Sequence, residues 1–263
     1  MTGFKKLIRG FVLGATMLMA AASAMAQGLP KLLIIYAGSV PPTSEMLASG
    51  KFASVDSFDA DAGTPTLVQL LPYDAILAFS NSTPLDPSGL GDVLADAVDA
   101  GRFVTIGTYG ISLPWAITGR MQTTGYNPLV IASNADVSGT LSAVVPTDPI
   151  FTGVTLAAIT YSHNSNFAHP TLDTGATLLA TDGAGVNMIA RSASGRVMGI
   201  NLFPDASDSE NNAEFYKLVA NIASNNAIGR APQQIPTLSE WALITMALFV
   251  AGIAAFSLRH RTR

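Results

Sequence analysis

Few side chains in this sequence could carry a reaction, and no thiol is among them, since the 263 residues contain no cysteine. Hydroxyls are then the available nucleophiles. Thr108 and Ser112 lie in or just after Gly107-Thr108-Tyr109-Gly110, a glycine-bounded turn that follows an apolar run. A hydroxyl is too weakly acidic to attack unaided and needs a neighbouring base. The bases on offer between residues 27 and 230 are His163 and His169, within Tyr161-Ser-His-Asn-Ser-Asn-Phe-Ala-His-Pro170. His169 could serve either hydroxyl in a hydrolase. A His-x5-His spacing with Asp173 nearby could also hold a metal, yet two histidines on a loop with no fixed register do not define a site. No metal and no cofactor are expected. Tyr109, Trp115 and Phe203 could wall an apolar pocket, although aromatics in such places are more often core.

These residues need a scaffold, and the pattern supplies one. Lys31-Leu-Leu-Ile-Ile-Tyr36 is a continuous apolar run, as in a strand buried on both faces. A weak helix over 43–49, a strand over 52–58, a short helix from Thr64-Pro65 to Leu71 and a strand over 74–79 follow. Asp86 then caps a helix with Pro87 at its first position, an apolar stripe of Leu90, Val93, Leu94, Ala97 and Val98, and Gly101 at its end. A strand over 102–106 leads into the Thr108 turn, and a helix is expected over 113–121. The second half holds expected strands at 129–132, 155–161, 177–181, 186–192 and 196–203. The last two pair antiparallel about Ala193-Ser194-Gly195, and a helix runs over 209–225. Alternating strands and helices predict an α/β fold with a doubly wound, mostly parallel sheet. Ligands in such sheets bind beyond the carboxyl ends of the strands, which is where Thr108 lies. Tyr36-Ala-Gly-Ser39 lacks the glycines of a dinucleotide loop, and Gly183-Ala-Gly185 reads as a turn.

The order of elements, the helix beginning Leu85-Asp86-Pro87 and the phrase Asp148-Pro-Ile-Phe-Thr-Gly153 resemble class I glutamine amidotransferase-like domains, including the trehalose-utilisation-like branch. The resemblance extends diffusely over about residues 31–225 and implies a flavodoxin-like sheet. Two stretches bear on chemistry. Where the family has Gly-x-Cys-x-Gly at its nucleophile elbow, the resemblance places Thr108 at the catalytic cysteine. Where it has Gly-Val-Gln-Phe-His-Pro-Glu, this chain has Gly199-Ile-Asn-Leu-Phe-Pro-Asp205. Phe203 replaces the histidine and cannot accept a proton; Asp205 keeps the orienting carboxylate with nothing to orient. These degenerate positions imply that glutamine hydrolysis by that route is lost.

Both ends carry addressing features. Lys5, Lys6 and Arg9, an apolar run over 11–22 and Ala24-Met25-Ala26 read as a signal peptide over residues 1–26, cleaved before Gln27. Near the other end, residues 241–258 contain no charge. As a helix they would span roughly 27 Å at ~1.5 Å per residue, enough to cross a hydrocarbon core of about 30 Å. Arg259, His260, Arg261 and Arg263 follow and would stay cytoplasmic. Ile235-Pro236-Thr237-Leu238-Ser239-Glu240-Trp241 stands just before, and Ala242 follows the tryptophan. This tail, 235–263 after a linker at 231–234, resembles the IPTL-CTERM sorting domain, a relative of PEP-CTERM signals. The resemblance implies an exosortase-like transpeptidase that recognises Ile235, Pro236, Thr237 and Leu238 with Trp241 close behind, removes the helix and can transfer the body.

Six of the 14 basic and one of the 18 acidic residues lie in the two ends, leaving 8 against 17 in the body, a net charge of −9. Such a surface repels phosphate backbones, so no nucleic-acid partner is expected. The body, 27–230, has the length of one domain. The sequence favours an exported envelope protein, anchored in the inner membrane facing the periplasm and then delivered to the surface. Its domain would be a non-catalytic binding or structural module, for an envelope polysaccharide or protein. The alternative is a secreted hydrolase acting on a sugar or amide with a reassigned active site.

Overall fold

A computed structural model describes residues 28–229. The expected signal peptide, linker, sorting motif and membrane-spanning helix lie outside the described residues. No helix within them is long and apolar enough to cross a membrane.

The expected apolar runs become the centre of one sheet. Its parallel half consists of β1 (Lys31–Ala37), β2 (Ser54–Asp59), β3 (Ala75–Ser80), β4 (Phe103–Gly107) and β10 (Val197–Ile200). These lie in the order β2-β1-β3-β4-β10, with Leu32 opposite both Val55 and Ala75. An antiparallel extension continues through β9 (Asn187–Arg191), β8 (Thr177–Thr181) and β6 (Ser142–Ala143). The sheet is therefore parallel at its core and antiparallel at one flank.

Alternation along each central strand splits the core in two. Leu32, Ile34, Leu77 and Phe79 pack into one cluster with Phe215, Leu218, Val219 and Ile222. These last four come from α4 (Ala213–Gly229). Leu33, Ile35, Ile76 and Ala78 pack into the other, with Leu90, Leu94 and Val98 of α3 (Pro87–Asp99). Two short helices, α1 (Thr43–Ala48) and α2 (Leu67–Leu70), complete the layers. Helix α3 starts as its residues require, the Gly89 N–H donating to Asp86 Oδ1 at 2.9 Å.

Four local expectations change. Helix α2 begins after Thr66 rather than at Pro65; the Thr66 N–H donates to Gln69 Oε1 at 2.8 Å. Helix α4 starts at Ala213 rather than Ser209, because Asn212 Oδ1 accepts from the N–H groups of Glu214 and Phe215. No helix forms over 113–121; only a 3-10 turn, Gly119–Gln122, is present. Pro114 disfavours the helical conformation at Leu113, and tertiary bonds replace helical ones. The Thr118 N–H donates to Pro87 O at 3.0 Å, and the Arg120 N–H to Asp92 Oδ1 at 2.7 Å.

The fourth change is the largest. The short strand at 129–132 and the histidine loop become one long ribbon, β5 (Leu129–Thr140) paired antiparallel with β7 (Thr160–Leu172). The expected strand over 155–161 begins only at Thr160, after a 3-10 turn at Leu156–Ala158. Runs such as Ser162-His-Asn-Ser-Asn166 alternate no hydrophobics, so period-two patterning cannot reveal them; backbone pairing holds them instead.

Candidate functional site

The carboxyl ends of β3 and β10 flank the turn after β4. Its position is fixed by backbone bonds on both sides. The Thr108 N–H donates to Leu202 O at 3.1 Å, and the Tyr109 N–H to Ser80 O at 2.8 Å. Space is tight around Gly107. A Cβ at that position would lie 3.2 Å from Phe79 Cβ and 3.3 Å from Pro204 Cδ.

Thr108 is fully buried. Its hydroxyl donates to Asn201 Oδ1 at 2.9 Å, and Asn201 Nδ2 donates to Ala168 O at 2.8 Å. The second bond holds the amide with its oxygen toward Thr108. An amide oxygen is not a base, so this arrangement gives the hydroxyl an acceptor without activating it. Asn201 lies inside the 199–205 stretch, yet its role was invisible there because both of its partners are distant in sequence.

Phe203 presents a hydrocarbon ring to this cluster. Its ring lies 6.0 Å from that of Phe79 and 5.2 Å from that of Tyr109, and Tyr109 meets Trp115 edge-on at 5.2 Å. The aromatics that could have walled a pocket pack on one another, with Trp115 only partly buried. Asp205 is also committed locally: its Oδ1 accepts from the Ser207 N–H at 2.7 Å and from the Ser207 hydroxyl at 2.6 Å. Asn211 Nδ2 bonds both Phe203 O and Asp205 O at 2.9 Å, fixing the segment between them.

The electrostatics around this cluster are acidic. Burial raises the Tyr109 hydroxyl above its ordinary value, with the Asp208 carboxylate adding to it. Tyr216, which donates to Asp205 O at 3.1 Å, is pushed up to about 12. Burial is the main cause; the charges of Glu45, Asp205 and Asp208 reinforce it and a hydrogen bond with Asn211 opposes it. Both phenols therefore stay neutral at physiological pH.

The other hydroxyl-base pairing is not assembled. Ser112 is fully buried, and neither its Oγ nor His169 Nε2 has a hydrogen-bond partner, so the two are not bonded to each other. His169 stands on β7 opposite Ser133, and His163 opposite Val137, on a strand rather than a loop. Asp173 accepts from the Gly125 N–H at 2.6 Å instead of joining the histidines. No group of three metal-ligating side chains occurs among the described residues.

Residues 233–261 match the family model described as the IPTL-CTERM motif. The chain carries that motif at its carboxyl end. It is a sorting signal read by an exosortase-like processing system, and it marks an exported chain. The body is similar in fold to a ThuA-like protein of Bacteroides uniformis. That likeness has a TM-score of 0.53 at 10% identity and covers 78% of this chain and 94% of the other. It is also similar to a glutamine amidotransferase of Thermotoga maritima, with a TM-score of 0.51 at 10% identity, covering 76% of this chain and 99% of that one. At such identity the likeness shows the fold and nothing of the chemistry. No curated protein matches the chain.

Proposed function

We propose that this is an exported cell-envelope protein whose amidotransferase-like domain acts by binding or by placement rather than by catalysis. A signal peptide over 1–26 would take it across the inner membrane. The helix over 241–258 would hold it there facing the periplasm until an exosortase-like transpeptidase acts at Ile235–Leu238. The body would then reach the surface, where an envelope polysaccharide or protein is its partner.

The non-catalytic part is supported above all by the Thr108 hydroxyl, buried and donated to the Asn201 amide while Phe203 fills the place of a base. A reassigned hydrolase is the second reading, and the unpartnered Ser112 hydroxyl is what favours it. Against it, a serine nucleophile needs a bonded base, and His169 is not bonded to Ser112.

Mass analysis of the exported protein in a strain with a working transpeptidase tests the sorting half. The expected chain begins at Gln27 and ends before Trp241; one still ending at Arg263 refutes it. Assays for ammonia release from glutamine and for ester and glycoside cleavage test the other half. Turnover abolished by Thr108→Val or Ser112→Ala in a fully folded protein refutes the non-catalytic reading.

A further inference from the structure

We propose that the face formed by the amino ends of the parallel strands rests against an anionic lipid bilayer, so that the carboxyl-end face, with the turn at Thr108, points outward. The orientation rests on the membrane helix proposed above and adds which face meets the lipid.

Charge is segregated along the strand direction. Lys31 opens β1, and Arg102 and Arg196 stand immediately before β4 and β10. Lys51 belongs to the same end, since the Ala53 N–H donates to Pro30 O at 2.9 Å. Lys31 is exposed and the other three are half-buried. One acid is set among them: Asp74 Oδ2 accepts from the Lys31 N–H at 2.9 Å, and Asp74 Oδ1 lies 4.0 Å from Arg102. Four cations against one carboxylate leave the group positive. It stays positive when Arg120 with Asp96 and Asp99, Arg191 with Asp148, and Asp173 are counted in. The negative charge of the body lies elsewhere, much of it at the carboxyl end. Asp59 closes β2, Asp86 precedes α3, Asp61 bonds the Gly38 N–H, and Asp205 and Asp208 follow β10.

The chain leaves the body at the positive end. Helix α4 starts beside the carboxyl ends, where Asn211 Nδ2 bonds Phe203 O and Asp205 O. Farther along it, Asn221 Nδ2 donates to Ile150 O at 2.9 Å. The Ile150 N–H is held by Asp148, which pairs with Arg191, opposite Met198 near the start of β10. The helix thus runs toward the amino ends and finishes at Gly229. Residues 230–240, at about 3.3–3.6 Å each when extended, reach roughly 40 Å at most. That tether keeps the amino-end face nearer the bilayer than the opposite one. Basic side chains attract an anionic surface over about a Debye length, ~8 Å at physiological salt, while the acidic end is repelled. Leu29, 50% exposed just before β1, offers an apolar side chain to the headgroup boundary.

A chain without cysteine accepts one label at a time. Ala53→Cys and Ala62→Cys put a fluorophore before and after β2, at exposed positions on opposite ends of one strand. The full chain is reconstituted in nanodiscs of phosphatidylcholine, or of an equimolar mixture with phosphatidylglycerol, containing a lipid with a nitroxide quencher on its headgroup. In the mixed discs, quenching at position 53 should exceed that at 62 by about threefold or more. The excess should shrink in neutral discs, in Lys31→Gln with Lys51→Gln, and in ~1 M salt, where the Debye length is about 3 Å. The salt arm needs no variant to fold. Equal quenching at the two positions, stronger quenching at 62, or an excess indifferent to lipid charge and salt overturns the proposal. Co-elution of chain and discs reports the anchor by itself. A chain that stays out refutes the membrane helix, and its labels are then read against vesicles of the same lipids with the same deciding outcomes.

Discussion

Replacing Thr108 by valine distinguishes a structural hydroxyl from a reactive one. Valine keeps the branched shape and deletes the donor of the 2.9 Å bond to Asn201 Oδ1, at a place where both residues are 0% exposed. A buried acceptor stripped of its partner costs ~1–3 kcal/mol. For chains of ~150–250 residues each kcal/mol lowers Tm by ~2–4 °C, so the expected loss is between about 2 and 12 °C. Asn201→Leu also strands the Thr108 hydroxyl and removes the donor to Ala168 O, and should cost more, about 2–4 kcal/mol. Joining the two changes replaces donor and acceptor together with hydrocarbon, which is far less costly than stranding one of them. The double variant should therefore be more stable than the sum of the singles by about 1 kcal/mol or more. Urea unfolding followed by fluorescence gives these values; the chain has two tryptophans, and Trp241→Phe leaves Trp115 as the reporter. Additivity to within ~0.3–0.5 kcal/mol, or Thr108→Val at wild-type stability, would refute the reasoning. A hydroxyl serving as nucleophile would show the opposite pattern, with lost turnover and unchanged unfolding.

Phe203→His should release no ammonia from glutamine above the buffer blank, because no thiolate exists to attack; it should also lower Tm, since an imidazole then sits against Phe79 and Tyr109. Gly91→Ala should destabilise by about 3 kcal/mol or more in urea unfolding, because its Cβ would fall 1.7 Å from Thr118 O, a backbone atom that three neighbouring bonds hold in place. Tyr216 gives a pH signature. Its folded pKa is raised from 10.0 to about 12, so its contribution to stability is whole below pH 10 and is lost as pH climbs from there toward 12. Tm measured over that interval should fall less steeply in Tyr216→Phe, and the tyrosinate absorbance of the wild type should lag behind that of free tyrosine.

Local chemistry was enough to read much of this protein from its residues in order. Long apolar runs such as Leu32–Ile35 can be stable only when covered on both faces, and Asp86-Pro87 can begin a helix without any distant partner. The sorting motif was legible for the same reason, because a short recognition sequence acts through its own residues. That Phe203 cannot act as a base was legible too, since no environment makes a phenyl ring accept a proton. Tertiary structure decided what depends on partners far along the chain. It turned Leu113–Met121 away from a helix through bonds to α3, and it drew His163 and His169 out of a loop into β7 by pairing them with β5. It also gave the Thr108 hydroxyl to Asn201, 93 residues away. A hydrogen bond is worth most where water is excluded, and which groups lose their water is set by the folded core as a whole.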